Sequence, residues 1–190
     1  LKEAVTSALA ARWVSEVIVY AGASPEETRA WLDKTSSKIP RLRWRSGPRG
    51  LPSMQSNAGL ALVESRFASV LADADLYPSG RTEVLLEPFI NPGGFLASCG
   101  LLEYTGESPY TDFEAQRVTH GPINTTHVCL GEFWNRPWAS LASFLFANPK
   151  DIRYDEGLRY ADDFDLLMRL LSAGKVAFVN NVAALMAILS

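Results

Sequence analysis

The sequence contains few of the residues that build disulfide frameworks and metal centres. Its 190 residues include only two cysteines and two histidines. Cys99 and Cys129 form no CxxC pair, and the spacing of His120 and His127 matches no familiar zinc motif. We therefore expect neither a disulfide scaffold nor a zinc site, and we interpret both cysteines as reduced core thiols of a cytoplasmic protein.

The sequence also lacks a strong charge excess and a long apolar run. A net charge of −3 argues against a dedicated nucleic-acid binder, which is usually basic. No apolar run reaches the roughly 18 residues of a membrane span, and no charged-then-apolar leader opens the chain. We expect a cytoplasmic protein, either free in the cytoplasm or attached to the periphery of a membrane. Because the chain starts at Leu1 and ends inside the apolar run VAALMAIL, we interpret it as a fragment or a processed chain.

The composition that is present is that of a globular domain. Hydrophobic residues make up 47% and charged residues 21%, and the length suits a single domain over residues 1–190. Residues 1–13 carry an amphipathic helical pattern, residues 16–20 are a β-branched run typical of a strand buried on both faces, a second helix follows Pro25, and another strand lies near Leu42. This alternation predicts an α/β fold with a mostly parallel central sheet flanked by helices.

Residues 56–78, SNAGLALVESRFASVLADADLYP, have the pattern of a helix, a turn, a buried strand and an acidic exit. The apolar positions that mark the helix and then the strand are Leu60, Leu62 and Val63, followed by Phe67, Val70 and Leu71. Asp73 and Asp75 come at the end of that strand. On an extended backbone their side chains would share one face, and two carboxylates on one face can hold a hard cation. The alternative is an ordinary strand exit, because Asp, Pro, Ser and Gly all favour turns.

A second acidic cluster opens a helix predicted over residues 163–172. Asp162, Asp163 and Asp165 lie in its first turn, and its buried face is predicted at Phe164, Leu166, Leu167, Met168, Leu170 and Leu171. Carboxylates at this end of a helix oppose its dipole, and Asp165 can pair with Arg169 one turn later. This structural explanation covers all three acids without any chemistry.

The only basic cluster is RLRWRSGPRG, residues 41–50. Arginines alternate with Leu42 and Trp44, which predicts a strand with one solvated face. The functional alternative assigns Arg49 to a diphosphate, because the guanidinium group matches phosphate geometry.

The two acidic motifs, taken in order, resemble the inverting family 2 glycosyltransferases. In that family an Asn-containing helix leads to a hydrophobic strand and a metal-binding Asp-x-Asp. A later motif has an acidic pair, an aromatic residue, an Asp, leucines and Arg-Leu, followed by a glycine and a strand. The resemblance covers residues 1–77 and 153–179. It implies the GT-A fold, a Rossmann-like sandwich, with a nucleotide-sugar-binding half over residues 1–78 and an acceptor and catalytic half over residues 79–190.

The resemblance also implies roles for individual residues. Asp75, with help from Asp73, would hold Mg²⁺ or Mn²⁺, and Asp163 would be the general base. Asp73, Asn57 and Arg49 would contact the donor. The implied reaction is the inverting transfer of a sugar from a nucleotide-diphosphate sugar to a hydroxyl of a glycan, a lipid-linked molecule or another acceptor.

The chain departs from the family pattern in several places. Tyr20 and Ala21 stand where the acids of the base-binding turn are expected, Ser56 replaces an arginine, and Asp162 replaces a glutamate. The strand that normally precedes the first helix, and would lie at the centre of the sheet, is absent. These departures favour, as an alternative, a catalytically silent binding or scaffolding domain. A sugar nucleotidyltransferase is a second alternative, but its glycine-rich, arginine-bearing loop is not visible after the first strand.

Overall fold

The computed structural model describes residues 1–22, 24–90, 95–105, 125–127, 141–173 and 176–187. The first half contains α1 (Lys2–Ala10), β1 (Val17–Ala21), α2 (Glu26–Ser36), β2 (Leu42–Ser46), α3 (Pro52–Leu60) and β3 (Phe67–Ala68). The second half contains α4 (Arg81–Leu86), β4 (Ala97–Thr105), β5 (Thr125–His127), β6 (Phe144–Ala147), α5 (Asp162–Ser172) and β7 (Val176–Ala187). The alternation of helices and strands confirms the predicted α/β class.

The strands form two sheets, and the larger one is mixed. β1 and β2 make a parallel pair, while the five-stranded sheet has the order β3-β6-β4-β7-β5. Within that sheet β4 and β7 are parallel, and the other three pairings are antiparallel. The prediction of one mostly parallel central sheet is therefore wrong in this detail. β6 lies between β3 and β4 and runs antiparallel to both, so it interrupts any run of parallel strands.

The two sheets are connected by α3. α3 contacts β1, and its Leu60 belongs to the core cluster against which Ala68 and Val70 pack. Within the described residues β1 pairs with β2 alone, and β3 pairs with β6 alone. As a consequence, residues 17–20 are only partly buried, whereas the sequence predicted a strand buried on both faces.

Several element boundaries differ from the predicted ones. α3 starts at Pro52, a favourable first position for proline, and ends at Leu60, so that Leu62 and Val63 lie beyond the helix. β3 is only two residues long. The Ser69 hydroxyl donates to the Phe144 carbonyl at 2.6 Å, and this side-chain bond takes the place of further backbone pairing with β6.

The main core lies between α3, α5 and the larger sheet. Its buried residues are Leu60, Ala97, Phe144, Phe146, Ile152, Tyr154, Leu166, Leu167, Leu170, Leu171 and Val176. The apolar face of α5 is confirmed except at Phe164, which is 45% exposed. No helix within the described ranges has the length and apolar character that a membrane crossing requires.

The arginines of β2 lie on its solvated side, as the alternation predicted. Arg43 forms an ion pair with Glu16 and donates to the Leu62 carbonyl at 3.3 Å. Arg41 donates to the Val14 carbonyl at 3.2 Å. These contacts tie the small sheet to its flanking loops and give both arginines a structural role.

Candidate active site

The Asp-x-Asp motif lies on a tight turn after β3. The Asp75 N–H donates to the Ala72 carbonyl at 3.2 Å, so the backbone folds back instead of running straight. Asp73 is exposed, whereas Asp75 is 5% exposed. The predicted shared face of an extended strand is therefore wrong, because the turn gives the two carboxyls different environments. Burial, and then the neighbouring charge of Asp73, raise the pKa of Asp75 to about 6.

Buried groups around Tyr77 hold the acidic turn in place. The Tyr77 N–H donates to Ser7 Oγ of α1 at 3.1 Å. The Arg81 guanidinium lies over the Tyr77 ring, 3.9 Å from its centroid. Arg81 Nη2 also lies within hydrogen-bond distance of Ser69 Oγ (3.1 Å) and of the carbonyls of Ala142 (3.0 Å) and Phe144 (2.8 Å). The turn is thereby fixed to α1 and to the larger sheet.

The sequence predicts a short helix through Arg81 after Pro78, but it does not predict the buried role of this arginine. The residue is 3% exposed, which is unusual for an arginine. Its helix, Arg81–Leu86, also contains Thr82 and Glu83, so an arginine in it gives no sign of burial. Its three acceptors come from other segments of the chain.

Asp163 lies in the first turn of α5. The carboxyl is partly shielded from water, although the residue as a whole is exposed. This shielding, the charge of Asp162 and the charge of Asp75 raise the pKa of Asp163 to about 6. Asp75 and Asp163 are therefore near enough to interact electrostatically, although they belong to the two halves of the chain. The two acidic motifs thus interact electrostatically, and their assignment to one active site stays a prediction.

The explanation of the first-turn acids from helix physics holds in part. Asp165 pairs with Arg169 at 2.8 Å, as predicted. The residue before the helix is Ala161, whose φ of 58° lies in the left-handed region, and no side chain caps the helix. The sequence predicts a C-cap at Gly174 and a favourable cation, Lys175, near the negative end of the helix, and both residues lie outside the described ranges.

Tyr154 is a buried phenol beside the acids. It is 4% exposed, and its pKa is raised by burial and then by the charge of Asp163. Its hydroxyl faces Ser56, but the two groups form no hydrogen bond of ordinary geometry. The pKa of Tyr154 also responds to Tyr77, so both tyrosines lie near the acidic cluster.

Asn57 and Arg49 lie together in a separate groove. The groove has a volume of about 410 Å³, and its lining includes Tyr20, Arg49, Asn57, Arg153 and Glu156. Asn57 Nδ2 donates to the Tyr154 carbonyl at 3.0 Å and to Glu156 Oε1 at 2.8 Å. None of the three candidate acids lines this groove. The structure thus places the donor-contact candidates Arg49 and Asn57 in one groove. The segment 153–156 contributes Arg153 and Glu156 to this groove and Tyr154 to the surroundings of Asp163.

The end of β1 has Tyr20 and Ala21 where the family pattern has acids. The Tyr20 ring lies against Gly47, where an added Cβ would be 1.8 Å from the Tyr20 hydroxyl. A Cβ on Gly22 would approach Gln55 Nε2 to 2.7 Å. Glycine is therefore required at position 47 for the phenol to fit. These contacts give the unusual Tyr20 a packing role.

The chain offers two carboxylates for a divalent cation. Across the part of the chain that the structure describes, no three His, Cys, Asp or Glu side chains converge on one point. Asp73 and Asp75 are hard oxygen donors, and Mg²⁺ commonly takes one or two carboxylates and completes its shell with substrate phosphates and water. The acidic turn fits a cation that binds together with a phosphate-bearing substrate.

No family model matches the chain, and no curated protein matches it. Solved structures do. The structure of TarS residues 1–349 from S. aureus in complex with UDP aligns over 98% of this chain and 56% of that one, with a TM-score of 0.69 at 14% identity. The structure of GalNAc-T7 with UDP, GalNAc and Mn²⁺ aligns over 97% of this chain and 40% of that one, with a TM-score of 0.69 at 12% identity.

This chain has the GT-A fold. The predicted fold is thereby confirmed, and the two compared proteins are GT-A glycosyltransferases. The chain spans about half the length of the TarS structure and less of GalNAc-T7. Membership of family 2 stays a prediction, because at 12–14% identity the likeness defines the fold alone.

Proposed function

We propose that this GT-A chain transfers a sugar from a nucleotide-diphosphate donor to an acceptor hydroxyl with inversion at the anomeric carbon. The observation that carries the proposal is that the charge of Asp75 raises the pKa of Asp163, although the two residues come from separated acidic motifs. A pKa of about 6 for Asp163 leaves it mostly ionised at neutral pH, which suits a general base. The complexes of TarS with UDP and of GalNAc-T7 with UDP, GalNAc and Mn²⁺ support the choice of donor and metal.

In the proposed reaction the Asp163 carboxylate accepts the proton of the acceptor hydroxyl. The hydroxyl oxygen attacks the anomeric carbon from the face opposite the diphosphate and forms the new carbon–oxygen bond. The bond to the diphosphate oxygen breaks, and its electron pair leaves with the nucleotide diphosphate. Attack from the opposite face inverts the configuration.

Asp75 and Asp73 would hold Mg²⁺ or Mn²⁺ beside the donor. When bound, such a cation neutralises negative charge on the departing diphosphate. The burial of Asp75 supports this assignment, since a buried carboxyl with a raised pKa gains most when a positive charge arrives. Arg49 is exposed on the wall of the groove, where its guanidinium group suits a diphosphate.

A catalytically silent binding domain is the second candidate. The observation that favours it is at the end of β1, where the Tyr20 phenol lies against Gly47 and neither Tyr20 nor Ala21 is an acid that could hold a nucleotide base. In that case Asp75 and Asp163 would be retained from an active transferase without having a catalytic role.

A thermal-shift panel separates the two candidates. The chain would be heated with each common nucleotide diphosphate and nucleotide-diphosphate sugar, with and without Mn²⁺. We expect one nucleotide to raise Tm in a Mn²⁺-dependent way, by mass action, and its sugar conjugate to be turned over with an inverted product anomer. Absence of any shift at millimolar ligand, in the wild type and in Asp75→Asn alike, would overturn the transferase proposal in favour of the silent domain.

A further inference from the structure

Asn57 connects two remote parts of the chain through hydrogen bonds. The residue belongs to α3, and its amide contacts the segment 153–156, which lies 97 positions later. Asn57 Nδ2 donates to the Tyr154 carbonyl, and Asn57 Oδ1 accepts the Tyr154 N–H at 2.9 Å. A second donation from Nδ2 goes to Glu156 Oε1. The side chain thus pairs with both backbone groups of Tyr154, as a neighbouring strand would.

The segment 153–156 is also held from the other side by α5. Arg169 Nη2 donates to the Arg153 carbonyl at 2.9 Å, while the same guanidinium pairs with Asp165. The Tyr154 side chain is buried in the core cluster that contains Leu60 of α3 and Leu166 of α5. Because α5 also carries Asp163, the position of this acid relative to α3 depends on the segment.

The hydrogen bonds of Asn57 decide against direct contact with the diphosphate of the nucleotide-sugar. A primary amide has two N–H groups, and both are used, by the Tyr154 carbonyl and by Glu156. Phosphate oxygens would require a free N–H. The amide has acceptor capacity left on Oδ1, which a hydroxyl group could use but an anionic diphosphate cannot.

We propose that Asn57 is a positioning residue that fixes α5, and with it Asp163, against the half of the chain that carries Asp75. This inference rests on the proposed transferase function, and it assigns Asn57 a different role from the donor contact that the sequence predicted. The segment 153–156 is the connecting element, held by Asn57 on one side and by Arg169 on the other.

The Asn57→Asp variant tests the role with little change of shape. The new carboxylate keeps an acceptor for the Tyr154 N–H but removes both donors and places a negative charge beside the Tyr154 carbonyl and the Glu156 carboxylate. We expect kcat to fall by about tenfold or more, because small displacements of a catalytic group are costly. The KM for the nucleotide-sugar should stay within about twofold, since the contacts that the ground state and the transition state share are unchanged. A rise in donor KM with unchanged kcat would overturn the proposal.

Glu156→Gln supplies the rescue. In the Asn57→Asp background this change removes the like-charge repulsion, and the new amide can donate to the carboxylate introduced at position 57, so part of the lost kcat should return. Alone, Glu156→Gln keeps its Oε1 acceptor for Asn57 Nδ2 and serves as the reference against which the kcat of the double variant is compared. Gln55→Glu is the matched control, because it adds the same charge to the same groove from the same helix without touching segment 153–156. If Gln55→Glu and Asn57→Asp lower kcat equally, and Glu156→Gln does not restore it, then the added charge in the groove accounts for the loss of kcat and the positioning role is overturned.

A readout that needs no transfer activity keeps the two proposals apart. In the ligand-free protein, Asn57→Ala removes the acceptor of the Tyr154 N–H, so amide exchange at Tyr154 should accelerate by about tenfold or more while exchange in β1 stays as in the wild type. If Asn57→Ala does not fold, coupling between Asn57→Asp and Glu156→Gln in thermal unfolding gives the same information. Faster Tyr154 exchange, or non-additive unfolding effects, in a protein whose wild type is inactive would overturn the transferase proposal alone. Unchanged Tyr154 exchange, or additive unfolding effects, would overturn the positioning role.

Discussion

The charge of Asp75 raises the pKa of Asp163, although the two residues belong to motifs in different halves of the chain. Neither acid has a cationic partner among the contacts that shift its pKa; burial and other acids account for both shifts. Like charges held together in a folded protein are costly, and such arrangements concentrate at functional sites. Substitutions in this cluster and in the residues that support it should therefore be the most informative.

Asp163 should control the pH dependence of transfer. With a pKa of about 6, the residue gains its ability to accept a proton as pH rises through that value. The profile of kcat/KM should therefore rise through about pH 6 and then level off. Asp163→Asn should lower kcat by about 10²-fold or more while donor affinity, measured by calorimetry, stays nearly intact.

Asp162→Asn is the control for that profile. Removal of the adjacent charge should move the rise to lower pH, because Asp162 raises the pKa of Asp163. Equal loss of transfer and donor affinity in Asp163→Asn would contradict its assignment as the base.

Asp75 should destabilise the folded protein at neutral pH. Its folded pKa of about 6 lies above the ordinary value of 3.8, so the folded state binds more protons between these values. Its contribution to stability is therefore present below about pH 4 and is lost as pH rises to about 6. In EDTA, Asp75→Asn should be more stable than the wild type at pH 8 by up to about 3 kcal/mol, and the difference should vanish near pH 4.

Denaturant unfolding at both pH values measures this difference. Asp73→Asn should stabilise less, because Asp73 is exposed and acts only through its charge on Asp75. If the stability difference between Asp75→Asn and the wild type is the same at pH 4 and pH 8, the folded structure does not raise the pKa of Asp75.

The backbone conformation of Ala161 at the start of α5 should lower the stability of the folded protein. Its φ of 58° and ψ of 25° lie in the left-handed region, which costs an L-residue about 1–2 kcal/mol and glycine nothing. Ala161→Gly should therefore stabilise the protein by about 0.5–1 kcal/mol after the greater flexibility of unfolded glycine is subtracted. Ala173→Gly, at the other end of the helix in a right-handed conformation, should destabilise it instead. A shift of Tm in the same direction for both variants would contradict this explanation.

Arg81 should be essential for stability but not for donor contact. Its burial, its three acceptors and its stacking on Tyr77 make replacement by lysine costly, by about 3 kcal/mol, because carbonyls and a buried hydroxyl lose their donor. Arg29→Lys is the control: Arg29 is exposed and pairs only with Glu26, three positions earlier, so its replacement should cost less than about 0.5 kcal/mol. Chemical denaturation of both variants checks the contrast, and equal effects would be evidence against the buried role.

Some local features were predictable because near neighbours in the chain determine them. The helix at residues 162–172, its buried leucines and the Asp165–Arg169 pair follow from a periodicity that repeats every turn. The strand β1 follows from its β-branched run, and the exposed arginines of β2 follow from side-chain alternation. The extended exit predicted for Asp73 and Asp75 failed, because a backbone hydrogen bond from Asp75 to Ala72 makes a turn that alternation cannot reveal.

The sequence by itself determined the α/β alternation, the identity of the two acidic motifs and their order, because these depend on local residue pattern. Only the tertiary structure decided that Asp75 and Asp163 share one electrostatic environment, that Arg81 is buried, and that the amide of Asn57 is committed to Tyr154. Each of these depends on contacts between segments remote in the chain, and a single sequence contains no record of which distant segments meet.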